Sequence, residues 1–373
     1  MFKFLKALSV FAGTIIGVGI FGLPYVASKA GFSIVLLYFL TMSGMAIVIH
    51  LMYGKIALQT KTLYRLPGYA EEYLGSPWKK ITFLVIGLGL TGALLAYLIV
   101  GGNFLNLFFS PYFGGNALIY TFLFFAAGAL LIFRGIKNIS QVELFFLIVF
   151  FALLILFFVR AFPFIDLDHF KSVDFKFFTF PYGVVLFSLW GSALIPEVKE
   201  ILENNGKLLK KVIITGILLS AVTYLFFIFT ILGVSGPNTS KEAISGFAQD
   251  LGNGVIRLGF IFGIITCFTS FITLGLTLKK VLWYDFGLAK NFSWLITCFL
   301  PLALFLLGFR QFIDVIGITG AIALGVEAIL IVFIYRAFLK KKLFQKMNPL
   351  LYLLPIFFVL GVFFEVFYFI FAK

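Results

Sequence analysis

Apolar runs that are long enough to cross a lipid bilayer recur along almost the whole of this chain. A spanning helix needs about 20 predominantly apolar residues. Because 62% of the residues are hydrophobic and 12% are charged, a soluble fold is excluded. The sequence predicts an all-α polytopic membrane protein, with residues 1–373 forming one membrane domain. Eleven segments approach or exceed the required length: 6–30, 32–58, 81–109, 116–134, 141–161, 181–203, 208–234, 254–285, 292–308, 312–338 and 349–372.

Basic residues fall mainly on one side of this predicted topology. If the N-terminus is cytoplasmic, the inner connections collect most of the 29 Lys and Arg residues. Cytoplasmic loops carry such an excess, so we expect the C-terminus outside after eleven crossings. The net charge of +14 then faces membrane lipids rather than nucleic acid. The predicted location is the inner or plasma membrane of a prokaryotic cell, and the oligomeric state stays open.

The first apolar run contains a stretch that is poorly suited to an unbroken helix. From Gly13 to Pro24 it holds four glycines, and each interior glycine costs about 1 kcal/mol relative to alanine. Irregular backbone at membrane depth persists only where it is buried in protein or lines a cavity. A break here therefore predicts a ligand site. The alternative is close helix packing through Gly13 and Gly17, which are four residues apart.

A second interrupted run occupies the corresponding place in the other half of the chain. It begins with Pro181-Tyr182-Gly183 and continues through Ser188 to Pro196-Glu197. Spans one and six each head a set of five, and because five is odd, the two sets cross the membrane in opposite directions. Gly- and Pro-interrupted segments at corresponding positions of two inverted halves indicate the binding site of a secondary transporter. The eleventh span is an addition outside these repeats.

Two connections have helical patterns of their own. The inner loop contains Pro67–Gly75, an amphipathic stretch closed by Gly75, and predicts a short helix at the membrane interface. The external segment 238–254 starts with an N-capping pattern and predicts another short helix, which would cover an external vestibule.

The chain resembles the amino acid–polyamine–organocation superfamily, in particular its amino acid/auxin and aromatic amino acid (tryptophan/tyrosine) permease branches. The residues that carry the resemblance are Gly13–Pro24, Pro67–Gly75, Ile195–Glu200 and Thr269–Gly275, in that order along most of the length. The resemblance implies the leucine-transporter fold. That fold has two inverted five-helix repeats, here about 6–161 and 181–338, with helices one and six broken; 349–372 would be an extra helix.

The resemblance also places the substrate at the two breaks. The N-terminus of a half-helix offers free N–H groups and a positive dipole end, so we expect the backbone of Gly17, Val18 and Gly19 to hold a carboxylate. Free carbonyls of the second break are expected to receive an ammonium group. For Trp190, lipid contact or ordinary packing is the alternative. The predicted substrate-binding residues are Thr14, Gly17, Val18, Gly19, Phe21, Ser188, Leu189, Trp190, Gly191 and Ser192.

A coupling ion is the second implication. The resemblance points to a sodium site formed by the carbonyls of Gly13 and Ile16 and the hydroxyls of Thr269 and Ser270. Hard cations take oxygen ligands, although serine and threonine in membrane helices also bond back to their own helix. No other metal and no cofactor is expected.

Proton coupling is the alternative, and it needs a titratable group at membrane depth, where an ionisable residue is costly and marks a functional candidate. The candidates are Glu197, Glu327, Glu365 and His50. Glu197 comes just after the second break and is the strongest of them, whereas for His50 a packed, hydrogen-bonded position in its helix is favoured.

We therefore predict a secondary transporter that moves a neutral, aromatic or branched amino acid by alternating access, driven by sodium or protons. A permease for another small amine or organic cation is the main alternative. A membrane-embedded enzyme is disfavoured because the chain has two histidines and no catalytic Ser-His-Asp or metal-binding pattern. A channel is disfavoured because inverted halves favour a site that opens to one side at a time.

Overall fold

The computed structural model describes residues 2–62, 64–135, 139–244 and 253–371, and these residues form an all-helical protein. The described residues form fifteen α-helices. They are α1 (Phe2–Ile15), α2 (Gly19–Ala30), α3 (Phe32–Gln59), α4 (Leu66–Leu74), α5 (Ser76–Phe113), α6 (Ala117–Arg134), α7 (Ile139–Ala161), α8 (Pro181–Ser188), α9 (Ile195–Ile201), α10 (Gly206–Ser235), α11 (Asn253–Lys280), α12 (Lys290–Leu306), α13 (Phe312–Ile318), α14 (Gly325–Phe338) and α15 (Leu353–Phe371). One-turn π-helical segments follow α11, α13 and α14.

Eight helical segments among the described residues are long and apolar enough to cross a membrane. They are Phe32–Gln59, Ser76–Phe113, Ala117–Arg134, Leu144–Phe164, Gly206–Asn238, Arg257–Asp285, Phe312–Leu343 and Pro349–Phe367. The pair α1 and α2, which meet at 48°, together make a ninth. The prediction of an all-α polytopic membrane protein is confirmed. The count of eleven crossings and the division into repeats at 6–161 and 181–338 stay predictions, because α8, α9 and α12 are short.

The first predicted break lies between α1 and α2. The N–H of Gly17 turns back to the carbonyl of Ile15 at 2.7 Å, which ends the regular ladder of α1. Helix α2 then starts at Gly19 and contains Pro24 in its interior. The glycines and not the proline therefore break this span, because membrane helices accommodate an interior proline.

The second break lies between α8 and α9. Helix α8 ends at Ser188, residues Leu189–Gly191 are irregular, and a short 3-10 turn leads into α9. Pro196 stands in the first turn of α9, where its missing N–H costs nothing. The position of this break agrees with the sequence-based prediction.

Close backbone contact holds α8 against the tenth predicted span. A Cβ atom on Gly183 would lie 2.8 Å from the carbonyl carbon of Gly317, and one on Gly320 would be equally close to the carbonyl carbon of Gly183. Small residues allow such approach between membrane helices. Because α14 begins shortly after Gly320, this contact places Glu327 of α14 next to the second break.

The short helix predicted at Pro67–Gly75 is present as α4, and its position at the membrane interface stays a prediction. The residue that caps it, Gly75, has a φ of 106°, which glycine adopts without strain. The sequence predicts a short helix in the external segment 238–254, of which residues 245–252 lie outside the described residues.

Candidate functional site

The two breaks touch each other in the middle of the protein. A Cβ on Gly19 would lie 3.1 Å from the Cα of Ser188 and closer still to its hydroxyl oxygen. A Cβ on Gly191 would lie 2.7 Å from the side chain of Ile15. Only glycine permits these approaches. The residues that the sequence predicts on spans one and six are thus brought together.

Tyr224 on α10 joins the breaks by hydrogen bonds. Its hydroxyl lies 2.9 Å from the carbonyl oxygen of Ser188 and also bonds to the carbonyl oxygen of Ile15, so its proton is shared between the two. The side chain is fully buried. A residue outside both breaks therefore satisfies carbonyls at the end of α1 and of α8 together.

His50 on α3 supports the second break from the other side. Its Nε2 accepts a hydrogen bond from the N–H of Gly191 at 3.0 Å, and its Nδ1 lies 2.7 Å from the carbonyl oxygen of Ala46. These partners assign the neutral tautomer with the proton on Nδ1. The imidazole also packs edge-on against Trp190, with ring centroids 5.0 Å apart. The expectation of a hydrogen-bonded helix residue is confirmed, and the structure adds its contact with the break.

A narrow cavity of about 70 Å³ extends from the breaks towards α4. Five of the predicted substrate residues line it: Thr14, Gly19, Trp190, Gly191 and Ser192. The other five, Gly17, Val18, Phe21, Ser188 and Leu189, are buried beside it and are not in its described lining. The lining also includes residues that the sequence did not single out as site residues, among them Tyr53, Arg65, Tyr97 and Thr277.

Phe21 points into an aromatic cluster. Its ring lies 4.9 Å from that of Phe104, 6.0 Å from that of Phe262 and 6.3 Å from that of Phe227, between centroids. These residues come from α2, α5, α11 and α10. The cluster packs across the side of the break that lies away from α4.

The start of α2 is suited to an anion. The N–H groups of Ile20 and Phe21 bond to the carbonyls of Gly17 and Val18 at 3.3 and 3.1 Å. The N–H groups of Val18 and Gly19 have no backbone acceptor in the part of the chain that the structure describes. Unpaired N–H groups and the helix dipole both favour a carboxylate. The hydroxyl of Thr14, in contrast, donates to the carbonyl of Val10 within α1 at 2.8 Å.

Glu327 on α14 supplies a carboxylate to the same cavity. Its side chain is 4% exposed, and the hydroxyl of Ser192 in the second break donates a hydrogen bond to it. Trp190 lies beside the same carboxylate. Among the described lining residues, Glu327 is the one acid and Arg65 the one base.

Arg65 closes the end of the cavity near α4. Its Nη2 donates to Glu197 Oε1 at 2.8 Å, and both side chains are nearly buried, at 11% and 15% exposed. Burial alone would lower the pKa of the Arg65 guanidinium. The adjacent Glu197 carboxylate raises this pKa by more than burial lowers it, so the pKa lies above its usual value. Lys280, at the end of α11, approaches the same Glu197 oxygen at 3.6 Å. Glu197 thus helps to close this end of the cavity through its ion pair with Arg65. Its ion-coupling role stays a prediction.

Of the predicted sodium ligands, Gly13 lies on α1 and Ile16 just after its end, while Thr269 and Ser270 lie on α11, which packs against α1. Ser270 is fully buried, and its hydroxyl has no hydrogen-bond partner among the described residues. The Thr269 hydroxyl instead donates to the carbonyl of Thr266 on its own helix at 3.3 Å. An orphaned hydroxyl is the kind of group that a cation or water satisfies, so Ser270 fits the predicted site better than Thr269. The ligand role of Gly13 and Ile16 stays a prediction.

Glu365, the remaining acidic candidate, is separate from the cavity. On α15 it faces Gly317, where an added Cβ would lie 2.9 Å from Glu365 Oε1. The two acids thus contact different groups, Glu327 the second break and Glu365 the backbone of α13.

Comparison with known proteins gives a family and a fold. The model of the tryptophan/tyrosine permease family matches residues 1–367. Tyrosine-specific transport system 1 of Haemophilus influenzae is 24% identical over 289 residues, which are 72% of this chain and 70% of that protein.

Solved structures share the fold at low sequence identity. MhsT in complex with L-phenylalanine has a TM-score of 0.69 at 16% identity and covers 97% of both chains. Mhp1, a nucleobase-cation-symport-1 family transporter in a closed conformation with bromovinylhydantoin bound, has a TM-score of 0.71 at 12% identity, covering 90% of this chain and 78% of that one. The manganese transporter of Eremococcus coleocola, in complex with an aromatic bis-isothiourea substituted compound, has a TM-score of 0.65 at 13% identity, covering 98% and 88%. The predicted leucine-transporter fold is confirmed.

Proposed function

This chain belongs to the tryptophan/tyrosine permease family, and from that membership we propose that it carries an aromatic amino acid, with tyrosine as the first substrate to test, across a prokaryotic plasma membrane. It is a permease and not an enzyme. The observation that carries the proposal is the meeting of two broken helices at one buried cavity, where Gly19 lies against Ser188. Such a meeting of half-helices is how secondary transporters of this fold build a substrate site.

The start of α2 receives the substrate carboxylate in this proposal. The N–H groups of Val18 and Gly19 supply the donors, and Gly19 is the residue of this pair that lines the cavity. The aromatic ring lies along Trp190 and the neighbouring apolar lining. An aromatic side chain gains about 0.5–1.5 kcal/mol from such ring contacts beyond its area burial.

Alternating access is supported by the different packing on the two sides of the breaks. On the side of α2, four phenylalanines, including Phe21 and Phe104, close the path. On the side of α4, the cavity continues to the Arg65–Glu197 ion pair. In the proposed cycle, the phenylalanine cluster opens while the Arg65–Glu197 side stays closed, and the reverse. The broken helices bend at residues 16–18 and 189–191 as the two sides alternate. The basic-residue pattern assigns the α4 side to the cytoplasm.

Two coupling ions have support. Sodium is favoured by the orphaned Ser270 hydroxyl on α11, which packs against α1 next to the first break. Protons are favoured by Glu327, a carboxylate buried at membrane depth. The ion pair of Glu197 with Arg65 makes Glu197 a weaker proton carrier than the sequence suggested.

Transport of a small amine or organic cation is the second candidate, because an acid lines the cavity. Uptake by purified protein in proteoliposomes separates these proposals. Labelled tyrosine, tryptophan, phenylalanine and tyramine are supplied under a sodium gradient and, separately, under a proton gradient. We expect uptake of at least one of the three amino acids under one gradient. Uptake of tyramine alone would instead establish an amine permease.

A further inference from the structure

Five of the carbonyl groups at the two breaks already have donors. Those of Ile15 and Ser188 share the hydroxyl proton of Tyr224. Others accept N–H groups from the next turn at 3.1–3.3 Å, namely the carbonyls of Gly17, Val18 and Gly191. A carbonyl has a second lone pair, but a buried ammonium needs several strong acceptors. These five carbonyls are therefore weak candidates for the substrate's amino group.

Glu327 is the anionic acceptor that remains. The Ser192 hydroxyl occupies one position on its carboxylate, which offers about four acceptor positions. The other charged group in the described lining, Arg65, is paired with Glu197. A carboxylate at membrane depth is costly unless a cation or hydrogen bonds compensate for its charge.

The charge pattern of the cavity matches an amino acid backbone. The N–H end of α2, at Gly19, borders the cavity beside Ser188, and Ser192 lies four residues further along the same break. Gly19 and Glu327 thus line the same cavity, which offers an N–H donor and a carboxylate to the two charged groups of an amino acid.

We propose that Glu327 receives the α-ammonium group of the substrate and thereby selects amino acids over aromatic acids that lack it. Ser192 positions the carboxylate by donating to it. The inference rests on the proposed function, since it names the group that recognises one end of the same substrate. Charge-assisted hydrogen bonds of this kind are about twice as strong as neutral ones.

The test is a comparison of two ligands on the purified full chain in detergent. Equilibrium dissociation constants are measured for L-tyrosine and for 3-(4-hydroxyphenyl)propanoate, which is tyrosine without its amino group. The variants are Glu327→Gln, which keeps the shape and removes the charge, and Glu365→Gln as the matched control for a buried acid outside the cavity. Thermal unfolding reports whether each variant is folded.

We expect wild type and Glu365→Gln to prefer tyrosine strongly, and Glu327→Gln to lose tyrosine affinity by about tenfold or more. Its affinity for the propanoate should stay the same or improve, so the preference collapses. Ser192→Ala should reduce the preference by a smaller factor, and this variant carries the test if Glu327→Gln does not fold.

An unchanged preference in folded Glu327→Gln overturns the assignment. So does a variant that keeps its preference for tyrosine but no longer responds to a proton gradient in proteoliposomes, because Glu327 would then carry the proton. If wild type binds neither ligand, and none of the three aromatic amino acids is taken up, the proposed function itself is wrong. The two failures are thus distinct.

Discussion

The imidazole of His50 accepts a hydrogen bond at 3.0 Å from the backbone N–H of Gly191, so an unbroken helix supports the broken one beside it. His50 → Leu leaves that buried N–H without its acceptor, which costs about 1–3 kcal/mol. We expect a lower temperature of thermal unfolding and lower tyrosine uptake. His50→Gln, whose amide oxygen replaces Nε2 as acceptor, should restore part of both. Equal unfolding temperatures for wild type and the leucine variant would show that this hydrogen bond does not stabilise the fold.

The Tyr224 hydroxyl links carbonyls of both breaks, and Tyr224→Phe removes it without changing the ring. We expect uptake to fall by about tenfold, because each lost bond costs about 1 kcal/mol and the breaks are no longer held together. Tyr120→Phe is the matched control, since the Tyr120 hydroxyl bonds at 2.7 Å to the carbonyl of Gly114 only a few residues away. A similar loss in both variants would contradict a special role for Tyr224.

Gly19 has no room for a side chain, because a Cβ would contact Ser188. Gly19→Ala should therefore abolish uptake by forcing the breaks apart, and Gly17→Leu should do so as well, since a Cβ there would meet the Tyr97 hydroxyl. Gly44→Ala is the control: it lies in helix α3 with open space around it, and alanine there should be neutral or stabilising by up to about 1 kcal/mol. Normal uptake by Gly19→Ala would contradict a substrate site at the two broken helices.

The Arg65–Glu197 ion pair closes the α4 side of the cavity. In Glu197→Gln, the closure loses a charge pair worth about 1 kcal/mol, which shifts its opening equilibrium about fivefold. A cysteine placed at Thr277, inside the cavity, should then react faster with a polar thiol reagent. Glu71→Gln, which breaks the more exposed Lys79–Glu71 pair, should leave the rate unchanged.

The coupling ion is tested at Thr269 and Ser270. If sodium drives transport, Ser270→Ala should weaken the sodium dependence of uptake more than Thr269→Ala does, because the Ser270 hydroxyl is the one without an internal partner. The double variant should show the largest effect. An unchanged sodium response in all three variants would argue for protons.

Sequence reasoning predicted the helices and both breaks because glycine and proline act locally. The apolar runs marked the long helices, although α5 extends from Ser76 to Phe113, well beyond the predicted 81–109. Gly75 and Gly114 flank this helix and Pro77 lies in its first turn, so both ends carry residues that favour helix termini.

The supporting residues of the site were harder to find. Tyr97 and Tyr224 lie on regular helices in a chain with 15 tyrosines and 53 phenylalanines, and only tertiary packing distinguishes them from their neighbours. Glu327 was named as a titratable candidate, but its contact with Ser192 joins residues 135 positions apart. Glu197 drew attention through its place after the break, while its partner Arg65 comes from a loop whose approach no local pattern reveals.

The most direct test of the central claim is an experimental structure of the protein with L-tyrosine bound. We predict that L-tyrosine lies between the two breaks, with its carboxylate at the N–H groups of Val18 and Gly19 and its ring along Trp190. Tyrosine bound anywhere else in the molecule, with the space between Gly19 and Ser192 free of it, would contradict the account.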